Sequence, residues 1–369
     1  MDLTHQHPTN VAVLSCSHTD DAPDLVAVGG EHSVQVLLIK KDACELVALF
    51  HIGTRVTALA WSPRTISPSS SDDWLYELVA AGSDFSLHFL TKTSSESENV
   101  FHFGGGLSGH HGKINGMTFC GGSGEDASRY VATVSDDKML MVWDLYPPDS
   151  NNDTSSMDPN SPSFSRSQPT AYAIPFPHPL TSINSHPSSS KEFLVSDCRG
   201  SIFLTDWRSD PGESPDDSSN IVELSEPRAL SDASLGLALH LSGSVAWHRG
   251  SADMVGAVYG SKYAVWDISK LQGGKPSAVG TTFSQGGNKF RWCDTHPEYF
   301  AISTQSPLKG AIIQVYNSNF LSAHAQPTVF SIAPRPHFVQ DFDFVTSGNV
   351  PTLAVAVGRS VFVFPIGAE

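Results

Sequence analysis

Gly104, Gly106 and Gly109 have the GxGxxG spacing of loops that cradle a dinucleotide phosphate. That chemistry needs a helix directly after the glycines, whose N-terminal amides face the phosphate, and an acidic residue about 20 positions further on for the ribose. Here residues 110–113 follow and lead into a stretch with β character instead. We therefore predict no nucleotide site at these glycines.

Histidine and cysteine could supply metal ligands or nucleophiles, but their spacing does not group them. The pairs His110-His111 and His5-x-His7 have no cysteine or carboxylate at ligand spacing, so we expect His110 to be structural and His5 and His7 to be exposed. No CxxC pair, GxSxG or HExxH string occurs. The sequence predicts no catalytic residue, no metal, no cofactor and no small-molecule substrate, so we expect a protein that is not an enzyme.

Charge and composition limit the classes of partner and compartment. Lys and Arg total 22 against 38 Asp and Glu, which gives a formal net charge of -16. Such a chain repels phosphate backbones, so we expect no direct binding to nucleic acid. No apolar run approaches a membrane span, and the N-terminus lacks the features of a signal peptide. Five scattered cysteines indicate no disulfide framework, so we expect an intracellular protein.

One template of β stretches and polar turns recurs along the chain. Its best copy spans residues 109–144, and a second spans 243–267. Weaker copies lie at 11–39, 56–90, 180–207, 288–316 and 338–364. Successive copies are separated by roughly 48 to 62 residues, somewhat more than the 40–45 of a four-stranded propeller blade, and inserted loops account for the excess. We predict an all-β fold in which residues 1–369 form a single seven-bladed β-propeller.

The last copy lacks a fourth strand, because the chain ends just after residues 360–364. Residues 2–7 belong to no copy of their own. We predict that this N-terminal segment pairs with residues 360–364 and closes the ring, which protects strand edges that would otherwise stay exposed.

The best copy resembles the WD repeat, since Gly109-His110 opens it and Trp143-Asp144 closes it. The resemblance implies a buried polar network that fixes the strand register of the blade. Its members would be His110, one of Thr133 and Ser135, one of Asp136 and Asp137, and Trp143. Trp266-Asp267 closes the second copy in the same way. We expect all of these residues to hold the fold and to do no chemistry.

Two insertions interrupt the repeats. Residues 147–179 are rich in Ser, Asn and Pro, and residues 209–220 are acidic. We expect the first to be a mobile loop and both to be solvated connections, with phosphorylation or partner binding as alternatives.

Five groups of strings in the repeats, taken in order, resemble the family of small WD-repeat nucleoporins of the Y-shaped outer-ring nuclear pore subcomplex. The strings lie at residues 51–63, 109–116, 134–137, 255–268 and 290–292. The resemblance implies a scaffold subunit at the nuclear envelope that binds the large propeller and α-solenoid nucleoporin of the short arm of the Y. The insertion at 147–179 has no counterpart in this pattern and suggests a fungal-like relative.

Partner-binding residues do not follow from the resemblance, which rests on blade-core strings. Interfaces centre on aromatic and arginine anchors, so the candidates are Trp74, Tyr76, Trp207 and Arg208. Ordinary packing explains each of them equally well. An alternative function is a WD-repeat substrate receptor of a cullin-type ubiquitin ligase, because residues 205–208 match the WDxR string of such receptors except that Thr replaces Trp.

Overall fold

The computed structural model describes residues 2–148, 167–208, 221–224, 243–271, 273–304, 306–323 and 326–367. The described residues form seven four-stranded antiparallel sheets, each of which is one blade of a closed propeller. The prediction of a seven-bladed all-β propeller is thereby confirmed. None of the helices in this described part combines the length and the hydropathy that a membrane span requires.

The first strands of the blades contact one another in sequence around the ring and line its centre. In blade order they are β2 (Val13–Cys16), β6 (Val56–Trp61), β10 (Ile114–Phe119), β14 (Leu180–Ser185), β18 (Gly243–Trp247), β22 (Gly287–Trp292) and β26 (Asp341–Val345). Side chains of these strands also bond to the backbone of the neighbouring blade. Asp341 and Asp343 of the last blade accept the backbone N–H groups of Leu14 and Cys16 at 3.1 and 3.0 Å.

The remaining strands follow outward in each blade. The second strands are β3 (Leu25–Gly29), β7 (Leu75–Gly82), β11 (Tyr130–Ser135), β15 (Glu192–Asp197), β19 (Met254–Tyr259), β23 (Tyr299–Thr304) and β27 (Thr352–Val357). The third strands are β4 (Ser33–Ile39), β8 (Leu87–Thr93), β12 (Met139–Asp144), β16 (Ile202–Asp206), β20 (Lys262–Asp267), β24 (Ala311–Asn317) and β28 (Ser360–Pro365). The fourth strands are β5 (Cys44–His51), β9 (Asn99–Phe103), β13 (Thr170–Pro175), β17 (Ile221–Leu224), β21 (Ala278–Thr281), β25 (Thr328–Ala333) and β1 (Leu3–Gln6).

Short helices occupy only a few connections. The α-helix α1 (Glu125–Arg129) lies between β10 and β11, and the described 3-10 helices are Gly106–Ser108, Ile268–Lys270, Pro307–Lys309 and Ser318–Ala323. The core consists of apolar clusters between the sheets, built from the alternate inward-facing residues of the strands.

The N-terminal strand closes the ring as predicted. β1 pairs antiparallel with β28, with Leu3 opposite Val363 and Gln6 opposite Ser360. His7 then donates its backbone N–H to the Arg359 carbonyl at 2.8 Å. Residues two apart in an extended chain lie on the same face, and His5 and His7 both turn inward. The prediction that they are exposed is therefore wrong. His7 is buried, and the His5 ring bonds to the Gln35 side chain at 2.8 Å.

The prediction of a mobile loop at residues 147–179 is wrong for its C-terminal part. β13 pairs with the whole of β12, with Asp144 opposite Thr170 and Met139 opposite Pro175. Without β13, the outer edge of β12 would have unpaired backbone N–H and C=O groups. Residues 170–175 form hydrogen bonds to these groups, although almost all of their side chains are exposed. Residues 149–166 of this loop and the whole acidic loop at 209–220 lie outside the described residues.

The two ends of the ring differ in the connections that they carry. The hairpins between second and third strands lie at one end, which we term the upper end. The connections from a fourth strand to the first strand of the next blade lie there as well, because adjacent strands alternate in direction. The opposite end, termed the lower end, carries the hairpins between first and second strands and between third and fourth strands.

Candidate functional site

Four residues of the third blade form one continuous chain of hydrogen bonds. His110 Nδ1 lies 2.8 Å from Asp137 Oδ2, and His110 Nε2 lies 2.8 Å from Thr133 Oγ1. The Trp143 indole N–H donates to the same Thr133 oxygen at 3.0 Å. Burial is the largest effect on His110 and lowers its pKa, against the raising effect of Asp137, so the imidazole is neutral at pH 7.

This order of aspartate, histidine and hydroxyl is also found in nucleophilic hydrolases, but its placement here excludes that chemistry. Thr133 is completely buried in the second strand, and the Trp143 ring covers it. The neutral His110 ring donates a hydrogen bond from Nδ1 to Asp137 and accepts one at Nε2 from the Thr133 hydroxyl. The Thr133 oxygen in turn accepts from the Trp143 indole N–H, so both ring nitrogens, the hydroxyl and the indole have partners. The network joins the second and third strands of the blade to the connection that precedes its first strand, and it offers no atom to a substrate.

Two of the alternatives left open by the sequence are resolved by these contacts. Thr133 rather than Ser135 bonds to the histidine, while Ser135 Oγ accepts the backbone N–H of Asp137 at 3.2 Å. Asp137 rather than Asp136 bonds to His110, and Asp136 accepts from the Asn115 amide at 2.6 Å. All of these residues lie in the third blade or its upper connections.

The second Trp-Asp pair, Trp266-Asp267, has no such network. Trp266 lies opposite Val255, so the position equivalent to Thr133 is Ala257, which has no hydroxyl. The Trp266 indole donates instead to the carbonyl of Gly274 at 3.0 Å. Asp267 accepts from the Ser269 hydroxyl at 2.6 Å and caps the short helix that follows. This blade therefore uses its tryptophan to fasten the connection to the fourth strand.

The glycines with GxGxxG spacing form a compact loop against Trp143. Gly104 has a φ of +64°, and a Cβ there would lie 2.8 Å from the Trp143 ring. A Cβ on Gly109 would lie 1.7 Å from the Gly104 carbonyl oxygen. The chain then enters β10 and not a helix. These glycines serve close packing in the blade.

Of the first two partner-binding candidates, only Trp74 reaches the surface. Tyr76 is 1% exposed and belongs to the core between the first two blades. Its ring stacks on the half-buried Trp74 with centroids 4.6 Å apart, and Lys92 Nζ lies 5.9 Å from the centroid of the Trp74 ring. Tyr76 positions Trp74 and is itself inaccessible to a partner.

Trp207 and Arg208 join the third and fourth blades at the lower end. The Arg208 guanidinium lies 4.7 Å from the Trp207 ring centroid and 4.9 Å from that of Tyr130, and it pairs with Asp126 of α1 at 2.7 Å. The Trp207 indole donates to the Ser190 carbonyl at 2.9 Å. These contacts connect residues 207 and 208 of the fourth blade to Tyr130 and Asp126 of the third, so the string at 205–208 holds two blades together.

The lower mouth of the central channel contains a charged cluster that sequence reasoning missed. A cavity of about 680 Å³ is lined there by His18, Arg249 and Asp294, among others. His18 Nδ1 lies 2.6 Å from Asp294 Oδ2, its Nε2 lies 3.0 Å from Asp343 Oδ2, and Arg249 approaches Asp294 at 3.3 Å. Burial and Arg249 lower the pKa of His18, but the two carboxylates outweigh them and raise it to about 9.

A positional signal for part of this cluster exists in the sequence. His18, Arg249 and Asp294 each stand two residues after the first strand of their blade. Residues at equivalent positions of a propeller meet around the channel, so an alignment of the seven repeats would have placed these three side chains together. Their opposite charges then predict ion pairs.

Comparison with known proteins supports a nucleoporin-like chain. No protein-family model matches the sequence. The nucleoporin Nup37 of Mus musculus is 22% identical over 319 residues, which cover 84% of this chain and 80% of that protein. Nup37 of Homo sapiens is 22% identical over 316 residues, 83% and 80% of the two chains.

Among solved structures, the crystal structure of Chaetomium thermophilum Raptor superposes with a TM-score of 0.67 at 14% identity. The match covers 100% of this chain and 29% of the Raptor chain. At this identity the likeness concerns the propeller fold alone. The chain is thus similar to Nup37 over most of its sequence and to Raptor in the shape of one propeller.

Proposed function

We propose that this chain is a non-enzymatic scaffold subunit of the nuclear pore complex, in the Y-shaped outer-ring subcomplex. There it binds the large propeller and α-solenoid nucleoporin of the short arm and supports the transport of protein and mRNA. The observation that carries the proposal is the similarity to Nup37, which extends over 84% of this chain and 80% of the mouse protein. A match of that extent includes nearly all blades and is not confined to one shared repeat.

The geometry of the third blade agrees with a scaffold role. The one Asp-His-Thr arrangement predicted from sequence is sealed in the blade, where it satisfies its own hydrogen bonds. Propellers without chemistry at their centre act through surfaces that bind other proteins. The fungal-like origin suggested by the insertion at 147–179 remains a prediction.

Affinity purification of the tagged chain, expressed from its own locus, with mass spectrometry of the recovered proteins, tests the proposal. We expect subunits of the Y-shaped subcomplex, and fluorescence of the tagged chain at the nuclear rim. Recovery of a cullin and its adaptor in their place, lost on Arg208→Ala, would overturn the proposal in favour of a ligase substrate receptor. In the structure Arg208 is already engaged by Asp126 and two aromatic rings, an arrangement that does not favour that alternative.

A further inference from the structure

The upper end of the ring carries a concentration of positive charge, although the chain as a whole is acidic. Seven basic residues in its described connections are exposed. They are Arg55, Lys113, Lys138, Arg199, Lys309, Arg335 and Arg359. Lys138, Arg199, Lys309 and Arg359 lie in the hairpins of four different blades, and the other three lie in connections between blades. The seven cations are thus distributed around the upper mouth of the channel.

Few carboxylates oppose these cations. The described upper connections contain Glu31, Asp84, Asp136 and Asp137, of which only Asp84 and Asp136 are exposed. Asp137 is bound to His110, and Asp84 accepts from the Ser86 hydroxyl at 2.8 Å. Glu31 approaches Arg55 only to 3.7 Å. The described upper connections therefore keep a local excess of positive charge in a chain of net charge -16.

The lower end differs in its ratio of exposed basic residues to exposed carboxylates. Its described connections have seven exposed basic residues too, but nine exposed carboxylates accompany them. The carboxylates are Asp20, Asp21, Asp42, Asp72, Asp73, Glu96, Glu98, Glu125 and Asp253. Among the described connections, the ring is thus polarised along its axis, with a positive excess at the upper end only.

Lys289 extends the positive region into the channel. It lies on the innermost strand β22 beside Phe290, which packs between blades, so the alternation of the strand turns Lys289 toward the channel. No carboxylate of the described residues lies within ion-pair distance of its amine. Burial lowers the pKa of Lys289, with Arg291 and Lys113 acting in the same direction against Asp341.

Apolar side chains stand among the upper cations. Leu107 is 98% exposed, Leu308 is 63% exposed, and Phe338 is also exposed. Leu107 belongs to the glycine loop that precedes Lys113, and Leu308 is the neighbour of Lys309. Exposed apolar side chains beside cations add apolar contacts where a protein segment is bound.

We propose that the upper end of the propeller is a docking surface for an acidic polypeptide segment that carries apolar residues. The inference deepens the proposed function, since it names the surface and the partner chemistry of the scaffold. Cations attract the carboxylates of the segment, while Leu107, Leu308 and Phe338 contact its apolar residues. A nucleic acid fits less well, because a long phosphate polymer meets the acidic remainder of the chain and gains nothing from aliphatic side chains.

A fluorescein-labelled synthetic peptide that alternates Glu pairs with Leu provides the probe, and fluorescence anisotropy measures its binding to the full chain. The test variant is Lys113→Glu, Lys138→Glu, Lys309→Glu. The matched control is Lys41→Glu, Lys191→Glu, Lys275→Glu at the lower end. All six lysines are exposed and lie in strand connections, and each triple lowers the net charge by the same six units, two per substitution.

We expect the upper-end variant to bind the peptide at least about tenfold more weakly than the wild type, and the control to stay within about threefold, because opposed charges act mainly within a Debye length of roughly 10 Å. Thermal melts of both variants establish that they are folded. An equal loss in both variants overturns the docking surface, since mean charge then decides binding. So does stronger binding by a 20-nucleotide single-stranded DNA than by the peptide.

The same variants separate this inference from the proposed function. If the wild-type chain recovers Y-subcomplex subunits from cells but does not bind the peptide, the docking surface is wrong and the scaffold proposal stands. If it binds the peptide through the upper end but recovers no nucleoporin, the surface stands and the assignment to the nuclear pore is wrong.

Discussion

Replacing Thr133 by valine tests whether the buried network stabilises the fold in the way that its geometry indicates. The substitution keeps the shape of the side chain but removes the oxygen shared by His110 and Trp143. Both partners are buried, so bulk solvent does not reach them to replace that oxygen. A stranded buried donor or acceptor costs about 1–3 kcal/mol, so we expect the free energy of unfolding to fall by about 2–5 kcal/mol.

The other blades show that an apolar residue fits this position sterically. In the third blade, Thr133 stands two residues after Val131, the partner of the closing residue Trp143. In each of the other six blades the position found in the same way holds a buried apolar residue. These residues are Val28, Ala80, Val195, Ala257, Ile302 and Val355. The destabilisation in Thr133→Val would therefore come from the polar partners left behind and not from overpacking.

Urea unfolding followed by tryptophan fluorescence and circular dichroism measures the effect. Trp143→Phe removes the stranded indole N–H, so the double variant should lose at least about 1 kcal/mol less than the sum of the single variants. Thr57→Val is the control, because the Thr57 hydroxyl is half-buried and makes one 3.4 Å bond to the Ala81 carbonyl. We expect the control within about 0.5 kcal/mol of the wild type. A Thr133→Val variant equally close to the wild type would refute the reasoning.

Three further predictions concern ring closure and pH. Deletion of residues 1–9 should lower the melting temperature by many degrees, and an unchanged melt would show that β1 does not stabilise the ring. The pKa of His18 is raised to about 9, so its stabilising effect is complete below about pH 6.5 and lost as pH rises through 9. His18→Gln should flatten this alkaline decline, and a decline of unchanged size would contradict the assignment. Burial, assisted by His102, lowers the pKa of His88 to about 4, so stability should fall as pH drops from 6.5 toward 4. His88→Phe should reduce that fall in denaturant titrations across the range, and an identical acid profile would count against it.

Blade number and ring closure could be predicted from sequence because both follow from local patterns. The Trp143-Asp144 and Trp266-Asp267 pairs mark third strands directly, and the weaker copies repeat the same alternation. Residues 2–7 belong to no copy of the template, and they were predicted to pair with the last one, as β1 does with β28.

The fourth strands were harder to predict, as β13 illustrates. An outermost strand has one neighbour and one solvent-exposed edge, so its side chains need not alternate between apolar and polar. In β13, Thr170, Ala171, Tyr172 and Ala173 are all exposed, and only Ile174 is partly buried. Composition alone therefore suggested a loop where backbone pairing to β12 makes a strand.

Contacts of site residues within one repeat could be predicted from sequence, whereas contacts between blades could not. His110, Thr133 and Trp143 lie within one repeat, so a family pattern could suggest that they meet. His18, Asp294 and Asp343 come from three blades, and their contact depends on closure of the ring. Burial of Tyr76 likewise depends on the packing of the first blade against the second.

Ring closure also determines when the molecule can complete its folding. Among the described strands, β1 is synthesised first and its partner β28 last. A contact between residues 3 and 363 has very high sequence separation, and such contacts form late. During translation the emerging blades form in order around an open ring whose first strand has no partner. We expect a chain released before residue 360 to keep that edge exposed, and thus to be recognised by chaperones and proteases as unfinished.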